Sequence, residues 1–167
     1  MGTVTLSRPS ADKEIDLSLR LWSDRVPLAP IAERLGFRIE HLHVVGQIIP
    51  KHRGAKERVA RAHYVSVAHL QACSDEEVLL WGGQILEALK RDNELVTMLH
   101  QSRVEATLWI SVLGREPVEP PRPGGDLLRL AEGLNVGVLI ENYTRVDADV
   151  PEKIWLTKAH LARHAAN

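Results

Sequence analysis

The chain has 167 residues, of which 44% are hydrophobic and 26% are charged, a composition that excludes a disordered tail and a membrane protein. It carries 21 Lys and Arg against 22 Asp and Glu, and this net charge of -1 argues against a protein whose whole surface binds nucleic acid. Only 4% of the residues are aromatic, yet four of these are tryptophans.

The first half of the chain alternates between strand and helix patterns. Residues 15–22 are apolar at every second position, which indicates a strand with one buried face. Apolar residues at helical spacing over 28–35, followed by Gly36, predict a helix that ends in a left-handed residue. The next segments predict a second strand, a glycine- and charge-rich loop or hairpin arm, and a third strand, at 37–45, 46–62 and 63–69.

The second half of the chain begins with a helical region. Ser74 and Glu77 match a capping box at the start of a helix over 75–90, and a shorter helix follows through 95–99. Gly82 and Gly83 inside the longer helix predict close packing against an indole, since glycine otherwise weakens a helix. The remaining segments predict a strand, a proline- and glycine-rich loop, a helix and a last strand, at 104–112, 114–125, 126–133 and 136–143.

Two segments of the sequence resemble each other. LAPIAERLGFRI at 28–39 aligns without gaps with LLRLAEGLNVGV at 127–138, with four identical positions, and each follows a strand that contains Leu-Trp. We therefore expect an α/β (α+β) fold with a ferredoxin-like, pseudo-duplicated β-α-β sheet, whose halves are about 15–69 and 103–143. Residues 75–101 would then be a helical insertion between the halves.

The alternation also predicts where the tryptophans lie. Trp22 and Trp109 point away from the aliphatic faces of their strands, so they should share the other face of the sheet. We expect the inserted helical segment, with Trp81, to cover that face, because the helix over 75–90 is apolar around much of its circumference. The alternative is that Trp22 and Trp109 line an open surface.

The domain organisation follows from these elements. Residues 1–143 are predicted to form a single α/β domain, and 144–167 a C-terminal tail with a short helix at 157–165, anchored by Trp155. No signal peptide and no apolar run of membrane-spanning length is visible, and Cys73 is the only cysteine. We therefore expect a cytoplasmic protein without membrane contact.

Three features of the sequence resemble a known family. They are the strand-helix start from Leu19 to the turn at Gly36, the glycine at Gly46, and the ending LLRLAEGLNVGVLIENY at 127–143. Together they resemble the bacterial family catalogued as domain of unknown function 4279, over about residues 15–143. Members of that family often carry a tryptophan in the strand after the glycine loop, where this chain has Tyr64. The resemblance implies a small α/β protein and no activity.

The clearest charged cluster lies within the expected arm. Five cations stand against the single carboxylate of Glu57, namely Lys51, Arg53, Lys56, Arg58 and Arg61. Such a cluster is able to bind phosphates or an acidic partner, although a solvated loop is the plainer interpretation. The lack of an interleaved aromatic residue before Tyr64 argues against single-stranded nucleic acid.

Other candidate sites have weaker support. His41 and His43 lie two apart on a strand, and His160 and His164 lie four apart on the expected C-terminal helix, but neither pair has an evident third ligand. Cys73 precedes a helix N-terminus, where a packing role is the ordinary interpretation. The sequence contains no nucleophile elbow and no phosphate-binding loop. We therefore expect no metal, no cofactor and no catalytic residue.

Three functional hypotheses remain open. The first is a non-enzymatic binding or interaction module whose partner is another protein, with an immunity protein that neutralises a toxin as one version. The second is a small enzyme or ligand-binding protein with a pocket walled by Arg20, Trp22 and Trp109. The third is anion or nucleic-acid binding through the segment 51–61, with Arg53, Lys56 and Arg58 as its contacts.

Overall fold

A computed structural model describes residues 13–49, 56–72, 74–114, 118–144 and 151–157 of the chain. The main sheet is formed by β1 (Lys13–Ser23), β2 (Ile39–His43), β5 (His63–Ala72), β6 (Glu105–Gly114), β7 (Gly137–Asn142) and β8 (Glu152–Trp155). Two short strands pair separately, β3 (Ile48–Ile49) and β4 (Arg58–Val59). The helices are α1 (Ala29–Leu35), α2 (Asp75–Arg91), α3 (Asn93–His100) and α4 (Gly125–Gly133).

The main sheet is mixed, with the strand order β2-β5-β1-β6-β7-β8. β1 lies between β5 and β6 and is antiparallel to both. β6 and β7 run parallel, and β8 then pairs antiparallel with β7. The expected α+β class is therefore confirmed, and the sheet continues past residue 143 because β8 belongs to it.

Local signals set the helix ends as expected. The Ser74 side chain accepts a hydrogen bond from the Glu77 backbone N–H and thereby caps α2. Gly36 ends α1 with φ of 72°. Asn135 adopts φ of 59° just after α4, a conformation that asparagine tolerates better than most residues. The Asn135 side chain also donates a hydrogen bond to the Leu99 carbonyl, which ties the end of α3 to that turn.

The hydrophobic core lies on one side of the sheet. The apolar face of β1 is at most 1% exposed at each of its four positions, Ile15, Leu17, Leu19 and Leu21. These side chains form one cluster with residues of all four helices, among them Ile31, Leu86, Leu99 and Ala131. The helices therefore form a single layer on the aliphatic face of the sheet.

The expected pseudo-duplication is not confirmed. In the unit β1-α1-β2, the strand β5 lies between the two connected strands, whereas β6 and β7 of the unit β6-α4-β7 are direct neighbours. The helices α2 and α3 connect β5 to β6 across β1. The similarity between 28–39 and 127–138 therefore reflects two helix-turn-strand segments that are set differently in the sheet.

The expectation that the segment 75–101 covers the tryptophan face is wrong. Gly82 of α2 packs against the side chains of Leu108 and Leu127, both members of the aliphatic core. Trp81 is half-buried against that same core, on the opposite side of the sheet from Trp22. The neighbours of Gly82 are therefore leucines instead of the expected indole, because α2 joins the existing core and does not form a second layer.

The adjacent glycines of α2 give a matched test of this packing. We expect Gly83→Ala to raise the free energy of unfolding by about 0.5–1 kcal/mol, since alanine favours helix and the added Cβ meets no atom within 4 Å. In Gly82→Ala the same gain in the free energy of unfolding is offset by steric strain, because the added Cβ would lie 3.0 Å from Leu127 Cδ1 and 3.2 Å from Leu108 Cδ2. Urea unfolding of both variants measures the difference, and a Gly82→Ala protein as stable as Gly83→Ala would contradict the described packing.

Candidate functional site

A line of aromatic rings crosses four neighbouring strands on the face opposite the helices. Trp22 of β1 lies opposite Tyr64 of β5, which in turn lies opposite His43 of β2. The ring centroids are 5.4 Å apart for Trp22 and Tyr64, 5.7 Å for His43 and Tyr64, and 6.3 Å for Trp22 and Trp109 of β6. The predicted shared face of Trp22 and Trp109 is thus confirmed. We call this surface, with Arg20, the aromatic face.

Arg20 is the cation of the aromatic face. Its guanidinium carbon lies 3.7 Å from the centroid of the Trp109 ring, which is a close cation–π contact. Its Nε is buried and has no hydrogen-bond partner in the described part of the chain. The residues opposite Arg20 in the neighbouring strands are Ser66 and Thr107, which carry hydroxyl groups and no carboxylate.

Glu141 fixes the position of the Trp109 ring. This carboxylate is only 5% exposed, and its Oε2 accepts hydrogen bonds from Trp109 Nε1 at 2.9 Å and from the Tyr143 hydroxyl at 2.8 Å. Its Oε1 lies 3.3 Å from Lys153 Nζ. Both oxygens of Glu141 are therefore engaged, and its charge is balanced by Lys153. Among the described residues, no ion pair links a carboxylate to Arg20.

The carboxylate also acts on its neighbour Tyr143. Burial raises the pKa of the Tyr143 phenol, and the hydrogen bond to Glu141 and the negative charge of that residue raise it further. The nearby positive charge of Arg20 lowers the pKa by a smaller amount. Tyr143 is therefore a neutral hydrogen-bond donor over the physiological pH range.

Gly137 of β7 lies beneath the side chain of Trp155. Thr107 lies opposite Gly137 of β7, and a Cβ added at Gly137 would lie 3.1 Å from Thr107 Oγ1 and 3.3 Å from Trp155 Cζ3. A larger residue here would force Thr107 or Trp155 to shift by a few tenths of an ångström, because the Trp155 indole lies close to the Gly137 backbone. Trp155 therefore belongs to the same side of the sheet as Trp22 and Trp109, and only Trp81 lies in the helix layer.

The other predicted binding residues belong to the arm and not to the strands that carry Arg20, Trp22 and Trp109. Lys51 and Arg53 lie outside the described residues. Lys56, Arg58 and Arg61 are exposed on the predicted arm, residues 46–62, where β3 and β4 pair as a short hairpin. Its apolar residues are exposed too, 63% for Ile48 and 59% for Val59.

Three cavities formed by the described residues do not include Trp22 or Trp109 in their lining. Two cavities, of about 550 and 800 Å³, lie on the helix side of the sheet. The first is lined by the proline-rich loop with Ile140 and Leu156, and the second runs between α2 and α4. Neither includes Trp22 or Trp109, so these residues belong to a surface and not to the wall of either cavity.

Of the candidate metal and thiol residues, His41 and His43 lie within the described part of the chain. His41 is exposed, while His43 packs on Tyr64 and its Nδ1 is buried without a hydrogen-bond partner among the described residues. Across residues 13–49, 56–72, 74–114, 118–144 and 151–157, no group of three or more His, Cys, Asp or Glu is placed to hold a metal ion. Cys73, His160 and His164 lie outside the described residues.

The sequence interpretation missed Glu141, Tyr143, Lys153 and the part played by Tyr64. One signal was present, since Glu141 is the only charged residue of β7, whose six residues are all buried. A charge in such a strand needs a partner, but the sequence does not say that the partners come from β6 and β8.

Comparison with protein-family models, with curated proteins and with solved structures finds no match to this chain. Within the described residues, no helix is both long enough and apolar enough to cross a membrane.

The link between Glu141 and Tyr143 predicts a specific titration. Because the folded pKa of Tyr143 lies above its ordinary value of 10.0, the neutral phenol contributes stability below pH 10 that is lost as the pH rises through the folded pKa. We expect Glu141→Gln to move that pKa back towards 10.0, since the substitution removes the negative charge. Phenolate absorbance in a Tyr64→Phe background isolates Tyr143, because the chain has only two tyrosines. An unchanged pKa would contradict the described contact.

Proposed function

We propose that this protein is a non-enzymatic binding module and that the aromatic face is its binding surface. The observation that carries this proposal is the state of Arg20, a cation held against Trp109 with a buried, unpartnered Nε. A buried donor without a partner costs about 1–3 kcal/mol. Arg20 as a whole is half-buried and forms no ion pair with a carboxylate among the described residues, so a ligand would reach the exposed part of this side chain and supply the missing negative charge.

The surroundings of Arg20 favour a ligand that combines an anion with a planar group. Guanidinium donors match the oxygens of carboxylate and phosphate groups. The neighbouring rings of Trp22 and Tyr64 are half-buried and offer flat apolar surface. Glu141 supports a binding role over a catalytic one, because both of its oxygens already hold Trp109, Tyr143 and Lys153 in place.

The same proposal includes a ferredoxin-like fold and membership of the family catalogued as domain of unknown function 4279. The connectivity β1-α1-β2-β5-α2-β6, with the strand order β2-β5-β1-β6 and the helices on one side, supports a ferredoxin-like unit extended by β7 and β8. Residues 127–143, which carry much of the resemblance to domain of unknown function 4279, include Glu141 and Tyr143. A cytoplasmic location fits such a module.

A second candidate function is the binding of another protein through the arm. The observation that favours it is the joint exposure of Ile48 and Val59 beside the cations Lys56 and Arg58. Apolar side chains surrounded by positive charge suit a partner with an acidic rim. An immunity protein that neutralises a toxin is one version of this function.

Substitution of Arg20 tests the first proposal. With uridine monophosphate as a probe that joins a planar ring to a phosphate, we expect Arg20→Gln to weaken binding about 10- to 100-fold, the effect of losing a charged hydrogen bond. Tryptophan fluorescence reports the titration.

The matched control is Arg129→Gln, which removes a 75% exposed arginine paired with Asp126 in the helix layer. We expect this variant to bind the probe as the parent protein does. Equal loss in both variants, or a complete absence of tryptophan quenching in the parent protein, would count against the proposal.

The arm proposal calls for a different variant. If a toxin gene lies next to the gene for this chain, we expect Ile48→Lys combined with Val59→Lys to abolish co-purification with its product in the same cells, because the change removes the apolar part of the surface. The paired variant Arg20→Gln should leave co-purification intact. Retention of the partner by the arm variant would exclude this surface.

A further inference from the structure

We infer that the ligand of the aromatic face is a single-stranded nucleic acid, whose bases stack on the rings of His43, Tyr64, Trp22 and Trp109. The phosphates of the strand would then contact Arg20 and the cations of the arm. This inference rests on the proposed function and specifies its ligand.

The spacing of the rings suits a line of bases. They lie on four adjacent strands, β2, β5, β1 and β6, and the length of the line is set by three successive centroid separations of 5.7, 5.4 and 6.3 Å. That length suits two or three stacked bases, as on the sheets of proteins that bind single-stranded RNA. Trp22 is tilted by 46° against both Tyr64 and Trp109, so these rings do not cover each other's faces as a flat stack would, whereas His43 is stacked on Tyr64 at 25° and Arg20 lies over one face of Trp109.

Cations lie beside the Trp109 ring and on the arm that joins the strands of His43 and Tyr64. The arm leaves β2 just after His43 and returns to β5 at His63, so it starts and ends beside the His43–Tyr64 end. Its described part carries three exposed cations against Glu57, namely Lys56, Arg58 and Arg61. Beside Trp109 that cation is Arg20, whose guanidinium carbon lies 3.7 Å from the ring centroid, whereas Lys153, 6.0 Å from the centroid, is paired with Glu141.

Rings and cations together distinguish a single-stranded nucleic acid from the alternative ligands. A strand of nucleic acid repeats a planar base and a phosphate, so it can use the ring line and both groups of cations at once. An acidic protein would use the arm and not need the rings, and a mononucleotide would use Arg20 and one ring but not reach the arm. The overall charge of -1 confines such binding to this local surface.

The experiment compares oligouridylate of about twelve nucleotides with uridine monophosphate on the full chain. We expect the oligonucleotide to bind at least tenfold tighter, and its affinity to fall with rising salt in a log–log plot. Lys56→Glu combined with Arg58→Glu should make that slope shallower by at least one, since each phosphate contact contributes roughly 0.7 for single strands.

Two substitutions of one residue separate stacking from mere bulk. Trp22→Leu should weaken oligouridylate binding by roughly fivefold or more, because leucine has no flat π-face, whereas Trp22→Phe should restore most of the affinity. Circular dichroism and the urea midpoint show whether each variant is folded. If Trp22→Leu is unfolded, Tyr64→Leu and Tyr64→Phe form a second pair with the same expected contrast.

The possible outcomes are distinct. Oligouridylate that binds no tighter than uridine monophosphate overturns the nucleic-acid inference but leaves the proposed binding face standing. Failure of both probes to bind overturns both. Binding that depends on Lys56 and Arg58 but tolerates leucine at Trp22 and Tyr64 points to an acidic partner of the arm, and also overturns the inference.

Discussion

The one-sided packing of helices on the sheet is the constraint on which the rest of the structure depends. Four alternate residues of β1, from Ile15 to Leu21, are almost completely buried against the helix layer, and each contributes on the order of 2 kcal/mol of hydrophobic stabilisation. A shift of one residue would turn Arg20 and Trp22 into that core and expose the leucines. The core therefore fixes which residues face the other side of the sheet. Arg20 and Trp22 lie on the aromatic face because the alternate positions of β1 are committed to the core.

A chain of contacts gives the aromatic face its defined geometry. Lys153 balances Glu141, Glu141 holds the indole N–H of Trp109, and the Trp109 ring supports the guanidinium of Arg20. Each link comes from a different strand, so the cation of the candidate site is positioned by the sheet as a whole. Both oxygens of the buried Glu141 carboxylate are engaged by Trp109, Tyr143 and Lys153. The positive charge of Arg20 therefore stays available to an incoming anion.

The sequence was sufficient for features that depend on local period and failed for those that depend on long-range pairing. Alternation within β1 and β6 predicted the shared face of Trp22 and Trp109, and the signals at Ser74 and Gly36 predicted helix ends. The apolar pattern of α2 showed that this helix packs against another apolar surface. It did not show which face of the sheet provides that surface. Glu141 could not be assigned a role, since its partner Trp109 lies 32 residues earlier in the chain and meets it only because β6 and β7 are parallel neighbours.

The central claim is that a ligand binds on the aromatic face, and the four tryptophans offer a direct measurement of it. Each indole N–H gives its own signal in a ¹H–¹⁵N spectrum, and substitution of one tryptophan at a time assigns the four signals. Upon titration with oligouridylate, the account predicts that the signals of Trp22 and Trp109 shift while that of Trp81, in the helix layer, stays in place. A shift of Trp81 alone, or no shift of any indole signal, would contradict it.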